Sequence, residues 1–320
     1  MIKKITLSLT AIAWLIQASA CDICGCNMSG LYFGFLPMYK SHFVGLRYSQ
    51  TTFDAYIDND GFYFEDEFST DTYRRVELIG RFSLSNKLQV RYIVPYAVND
   101  MDGSHQNVHA HGFSDPIVMA YYNPFNTGND FTRTIMHTLL LGGGVKLPLG
   151  AFGQQDQGEL INPNFQLGSG SLDYVVGLNY TARHRTLGIN IESSYKINTA
   201  NRDDYRFGDQ ANASANLFYY IETPKLSILP FGGVYYERAA HHTSGEIIEA
   251  NTGGEAWLGT LGAQLFRNKL MVNLQYQTPI SQSFHTDHHA SISGKDRFSI
   301  SVIQNFSFNK AGEKNQGERK

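Results

Sequence analysis

Hydrophobic and polar residues alternate with a period of two along most of this chain. In Leu88–Val98 the even positions are Leu88, Val90, Tyr92, Val94, Tyr96 and Val98, set against Gln89 and Arg91. In Leu270–Ile280, Leu270, Val272, Leu274 and Tyr276 alternate with Asn273, Gln275 and Gln277. Leu172–Tyr180 and Leu187–Ile197 repeat the pattern. Period two belongs to strands that present different solvents to their two faces. Twelve such segments lie near 42–53, 73–84, 87–98, 114–124, 134–147, 171–182, 186–197, 209–220, 225–237, 254–266, 269–280 and 296–308. Most have the length that a tilted strand needs to cross a membrane.

The connections sharpen this reading. Short ones, such as Ser85-Asn86, Arg183–Arg185 and Arg267-Asn268, alternate with long ones at 54–72, 99–113, 148–170, 198–208, 238–253 and 281–295. A membrane barrel has short turns at one end, long loops at the other and an even strand number. A secreted β-sandwich has no reason to alternate loop length so regularly. The pattern predicts an all-β, transmembrane, antiparallel up-and-down barrel of about twelve strands over 42–308. Its last strand places Phe298, Ile300, Val302, Phe306 and Phe308 on one face. A polar tail follows at 309–320.

The first twenty residues add a compartment. Lys3 and Lys4, the apolar run Ile5–Ile16 and Ala18-Ser19-Ala20 have the layout of a secretion signal. The mature chain then starts at Cys21, and 21–41 is expected as a periplasmic segment. The expected location is the outer membrane of a Gram-negative cell, with the N-terminus in the periplasm. Outer-membrane lipid would surround the barrel, and the barrel-assembly machinery would insert it. All three cysteines, Cys21, Cys24 and Cys26, fall in CDICGC. Three readings stay open for them: lipidation of Cys21, a strained disulfide, or a thiolate clip for a soft metal.

Net charge is −3, which argues against nucleic acid as a partner. The chain holds no G-x-S-x-G, no zinc-protease helix motif and no P-loop, so an enzyme is not expected. If the apolar positions face lipid, the alternate ones face the lumen. These include Arg47, Arg75, Glu77, Arg81, Arg91, Asp173, Glu192 and Lys196. Such an interior holds water and solute, or plugs itself with charge pairs. Arg81 and Arg91 flank the Ser85-Asn86 turn and are expected as cross-strand neighbours.

Eight of the eleven histidines fall in three predicted long loops: His105, His109 and His111; His241 and His242; His285, His288 and His289. Imidazoles and thiolates bind Cu and Zn. A metal-binding or metal-transporting barrel is therefore an alternative to a channel for an organic solute. No cofactor is otherwise indicated. A structural barrel without transport is a third reading.

Three stretches carry a family resemblance: HGFSDPIVMAYYNPF (111–125), GGGVKLPLGAF (142–152) and LGSGSLDYVVGLNY (167–180). In order and spacing they resemble the outer-membrane transporter family associated with the meta-cleavage pathway of phenol degradation. Ser114 stands where that family has a glycine, and Leu149 where it has a threonine. The resemblance implies a barrel related in architecture to the long-chain fatty-acid transporter, carrying small hydrophobic or aromatic compounds. CDICGC and HFVGLRYSQTTF (42–53) also resemble outer-membrane proteins of Bacteroidetes-type bacteria.

Overall fold

The structure is a computed structural model that describes residues 42–58, 66–104, 106–127, 134–156 and 159–307. The signal segment, the three cysteines, His105 and the polar tail lie outside the described residues. Twelve antiparallel strands form one closed barrel. They are β1 (His42–Ile57), β2 (Glu67–Ser83), β3 (Leu88–Gly103), β4 (Asn107–Phe113 and Ile117–Asn126), β5 (Ile135–Lys146) and β6 (Asp173–His184). The circle continues with β7 (Leu187–Ile197), β8 (Gln210–Tyr219), β9 (Ser227–Ala239), β10 (Gly254–Arg267), β11 (Leu270–Phe284) and β12 (Ala290–Phe306). Each strand pairs with the next, and β12 returns to β1 with His42 opposite Phe306.

The period-two pattern becomes an inside and an outside. Leu46, Val76, Leu141, Val176, Leu261 and Val302 point outward and are exposed as a lipid-facing band. Their strand neighbours point inward and are buried. At the short-turn end Arg185 and Asn268 adopt φ of 53° and 54°, which the tight β6–β7 and β10–β11 turns require.

The strands reach further toward the long-loop end than the sequence pattern indicates. β1 runs to Ile57 and β2 starts at Glu67, so both flanks of the loop expected over 54–72 form a paired ladder. The loop expected over 99–113 is a hairpin in which His109 and His111 sit on the first half of β4. The loop expected over 281–295 is shortened on both sides by β11 and β12. Backbone pairing does not depend on apolar side chains, so strands continue above the apolar band where alternation has ceased.

β4 is the irregular strand. Its ladder with β3 is interrupted at Ser114-Asp115-Pro116, although the Ser114 amide still donates to the Pro95 carbonyl at 2.9 Å. Beyond this point β5 has ended at Lys146 and β6 has not begun before Asp173. Among the described residues, Asn107–Phe113 therefore pairs with β3 alone. The space between it and the β6–β7 edge is taken by residues 147–156 and 159–172.

Candidate functional site

The interior is layered. At the short-turn end Phe43, Ile79, Ile93, Met119, Tyr121, Leu140, Val175, Met271 and Ile303 form an apolar floor. The Arg81 guanidinium lies 4.9 Å over the Phe43 ring and Arg91 lies 4.4 Å over Tyr121. Arg81 and Arg91 are direct cross-strand partners, as their spacing about the turn implied. Above the floor lie two buried charge pairs. Arg47 bonds Glu77, and Arg297 clamps Glu237 with two bonds of 2.5 and 2.8 Å. A polar cavity at this level is lined by Glu192, Asn212, Tyr235, Thr260 and Gln277.

Nearer the long-loop end lies a second apolar layer. It comprises Phe53, Tyr73, Ala97, Val108, Ala110, Ile161, Phe165 and Leu167. Three of these do not come from the wall. Residues 147–156 and 159–172 fold inward, and a short 3₁₀ turn at Pro163–Phe165 carries their tip. The Asn162 side chain caps that turn by accepting from the Asn164 amide at 3.0 Å. Phe165 is fully buried and stacks on Tyr73, with ring centroids 5.4 Å apart. Asn99 Nδ2 holds the Phe165 carbonyl at 3.1 Å.

What holds this segment is a buried polar cluster at the break in the wall. Asp115 Oδ1 accepts from the Gly150 amide at 2.8 Å. Its Oδ2 accepts from the Ser169 amide at 2.8 Å and from Lys146 Nζ at 2.9 Å. Lys146 also bonds Ser169 Oγ and reaches Asp173 Oδ2 at 2.6 Å. Asp173 Oδ1 accepts from Ser171 Oγ and from the Thr199 amide, both at 2.9 Å. All five side chains are buried. Gly150 and Gly168 pass so closely that a Cβ on Gly168 would sit 2.5 Å from the Gly150 carbonyl oxygen. Gly170 takes φ of +69°, which turns the chain between the two serines.

This cluster gathers the three sequence stretches singled out above. Asp115 comes from the first, Lys146 and Gly150 from the second, and Gly168, Ser169, Ser171 and Asp173 from the third. Outside it, the lips of the gap are apolar: Phe113 is 67% and Leu149 71% exposed.

The expected lumen residues all point inward, and Asp173 belongs to the cluster just described. Glu192 lines the polar cavity, while Arg75 and Lys196 line a second cavity beneath the inward segment. Sequence reading did not name Asp115, Lys146, Ser169 or Ser171 as site residues. The signal that could have found them was the quoted motifs themselves, read as one site rather than as three strand ends.

The histidines sit at the long-loop end in pairs. His109 bonds Asp100 and lies 5.2 Å from the ring of His111. His241 and His285 stack at 4.0 Å, each donating Nδ1 to a backbone carbonyl, Glu249 and Thr252 respectively. His242 is buried against Tyr205 and Phe207. Burial, then the charge of Lys196 and the neighbouring His241, push its pKa down to about 3. His288 and His289 are exposed on the β11–β12 turn. Among the described residues no group of three histidines, cysteines or carboxylates is placed to hold a metal ion.

A family model described as "Putative MetA-pathway of phenol degradation" matches residues 45–283. A comparison with curated proteins returned no match. Among solved structures, an outer membrane channel from Pseudomonas putida F1 aligns with a TM-score of 0.61 at 14% identity, over 85% of this chain and 97% of that one. The β domain of the Bordetella autotransporter BrkA gives 0.47 at 9% identity, over 83% and 100%. The CymD monoaromatic hydrocarbon channel gives 0.38 at 12% identity, over 91% and 95%.

Proposed function

The chain belongs to the MetA-pathway phenol-degradation family, and on that premise we propose that it is an outer-membrane channel for small hydrophobic solutes. The N-terminus is assigned to the periplasm, because both ends of the barrel lie at the short-turn end. The long-loop end then faces outward. A solute enters there, rests in the cavity beneath the inward segment, and leaves through the wall where β4 is broken.

One observation carries this reading. The three family motifs assemble a single buried cluster, and that cluster closes a stretch of described wall where the strand-to-strand ladder is interrupted. A charge cluster is a weak reason for stability but a good device for holding one arrangement of a segment. The apolar lips of the gap suit a solute that prefers lipid to water. A straight path to the periplasm is blocked by the apolar floor and its two arginines.

The site does not have the makings of catalysis. Ser169 touches Lys146, but the three donors of that ammonium are spent on Asp115, Asp173 and Ser169. It has no lone pair with which to take a proton.

Uptake by cells tests the reading, because their lipopolysaccharide leaflet blocks hydrophobic compounds that plain phospholipid lets through. Cells making the protein should take up labelled toluene several times faster than cells with an empty vector, with no change for a sugar of similar size. Faster sugar entry without an aromatic gain would identify a hydrophilic pore instead.

A further inference from the structure

Beneath the inward segment lies a small cavity of about 80 Å³ that opens toward the lumen. One side is apolar, built from Ile93, Pro95, Ile117, Leu167, Val175 and Phe207. Arg75 lines it from β2 and is only 8% exposed. Its cross-strand neighbours are Ser49 and Ala97, neither charged. The nearest acid on its own strand face, Glu77, is engaged by Arg47. Arg75 Nε is fully buried without a hydrogen-bond acceptor, and no carboxylate among the described residues is paired with its guanidinium.

Every other arginine that faces the lumen has a role in the wall. Arg47 and Arg297 are paired with acids, and Arg81 and Arg91 lie over rings. A guanidinium buried without a counter-charge is costly, and its planar fork of donors matches a carboxylate. We infer that this cavity binds an amphipathic monocarboxylate, with its carboxylate on Arg75 and its hydrophobic body against the Ile93–Val175–Leu167 wall. The solute class is thereby narrowed from hydrophobic compounds in general to hydrophobic acids such as aromatic carboxylates. This deepens the channel reading and rests on it.

The test is equilibrium binding to the purified full-length barrel in detergent micelles, by titration calorimetry. Three probes separate the contributions: benzoate, its neutral counterpart benzamide, and acetate, which has the head group without the ring. Benzoate is expected to bind at least about tenfold more tightly than either, as a charge-assisted hydrogen-bond pair requires. R75Q should bring benzoate down to the level of benzamide. R75K should retain part of the preference, because it keeps the charge and loses the fork.

Equal affinities for benzoate and benzamide in the native protein would overturn the inference, as would a preference that survives R75Q. Acetate binding as tightly as benzoate would also overturn it, because the apolar wall would then be idle. Heat-modifiable migration on a gel reports that each variant is a folded barrel. If R75Q does not fold, R75K decides: a benzoate preference at the native level would sink the proposal. Failure of the channel reading is seen separately, as native protein that binds benzoate but gives cells no faster uptake of either benzoate or toluene.

Discussion

The barrel closes itself twice, by different means. Where β12 meets β1, the wall is a backbone ladder from His42–Phe306 to Ile57–Ala290, with one register shift between Thr51 and Phe53. Between the first half of β4 and the β6–β7 edge, side chains do the work: Asp115, Lys146, Ser169, Ser171 and Asp173 pin a folded-in segment across the gap. A ladder asks only that each residue have an amide and a carbonyl. A pinned seam asks for particular acids, one particular cation and glycines where backbones touch. The family motifs therefore converge on the seam, each running from it into a strand of the wall.

The largest effect should come from breaking the seam. Lys146→Met leaves two buried carboxylates without their cation and should cost about 3–5 kcal/mol. Thermal unfolding followed by circular dichroism will measure it. An unchanged melting temperature would mean that the cluster does not hold the wall.

Next is Phe165→Ala, which empties the centre of the apolar layer at a cost of about 3 kcal/mol. Single-channel recording should show larger conductance and more frequent opening. A trace identical to the native one would show that the inward tip does not limit the path.

The third contrast is pH. The His242 pKa is held at about 3, against 6.5 for a free histidine. Unfolded chains then bind the extra proton between those values, so the stability of the loop cluster is complete above pH 6.5 and is lost as pH falls toward 3. The loss should reach about 2 kcal/mol at pH 5. Limited proteolysis should cut residues 240–252 faster at pH 5 than at pH 7, and His242→Gln should flatten the difference. The β1–β12 ladder consists of backbone bonds that do not titrate, so it should resist cleavage equally at both values.

The smallest effect is expected from Val302→Ala on β12, outward-facing and 46% exposed. It should shift stability by less than about 1 kcal/mol. A larger loss in the same melting experiment would mean that outward packing, not the ladder, secures that side.

This contrast also explains what the sequence reveals. The twelve strands are legible because lipid outside and packed side chains inside impose period two at every crossing. The external extensions are not, because charged residues such as Asp54, Asp71 and Lys295 interrupt the apolar–polar alternation there, although burial still alternates along β1 and β2. The inward faces of Arg75 and Glu77 follow from parity alone. That Glu77 meets Arg47 while Arg75 meets no acid depends on cross-strand geometry, which parity does not contain. Nor does spacing along the chain show that Asp115, Lys146 and Ser169 touch, since they are brought together by closure of the barrel. The histidines mislead for a related reason. Their clustering in sequence comes from the long-loop end as a whole, and folding distributes them into pairs.

The uneven strand lengths have a consequence for energy supply. β1, β2 and β12 have 16 to 17 residues, whereas β5 and β6 have 12. At about 3.4 Å per residue and a tilt near 40°, the rim stands roughly 40 Å high on one side and roughly 30 Å on the other. The low side is scarcely taller than the apolar band of the membrane, and the seam lies at its top. A compound leaving there would meet acyl chains before it meets water. Partition alone would then draw it onward, so the flow would be downhill at every step and would stop when the membrane is saturated.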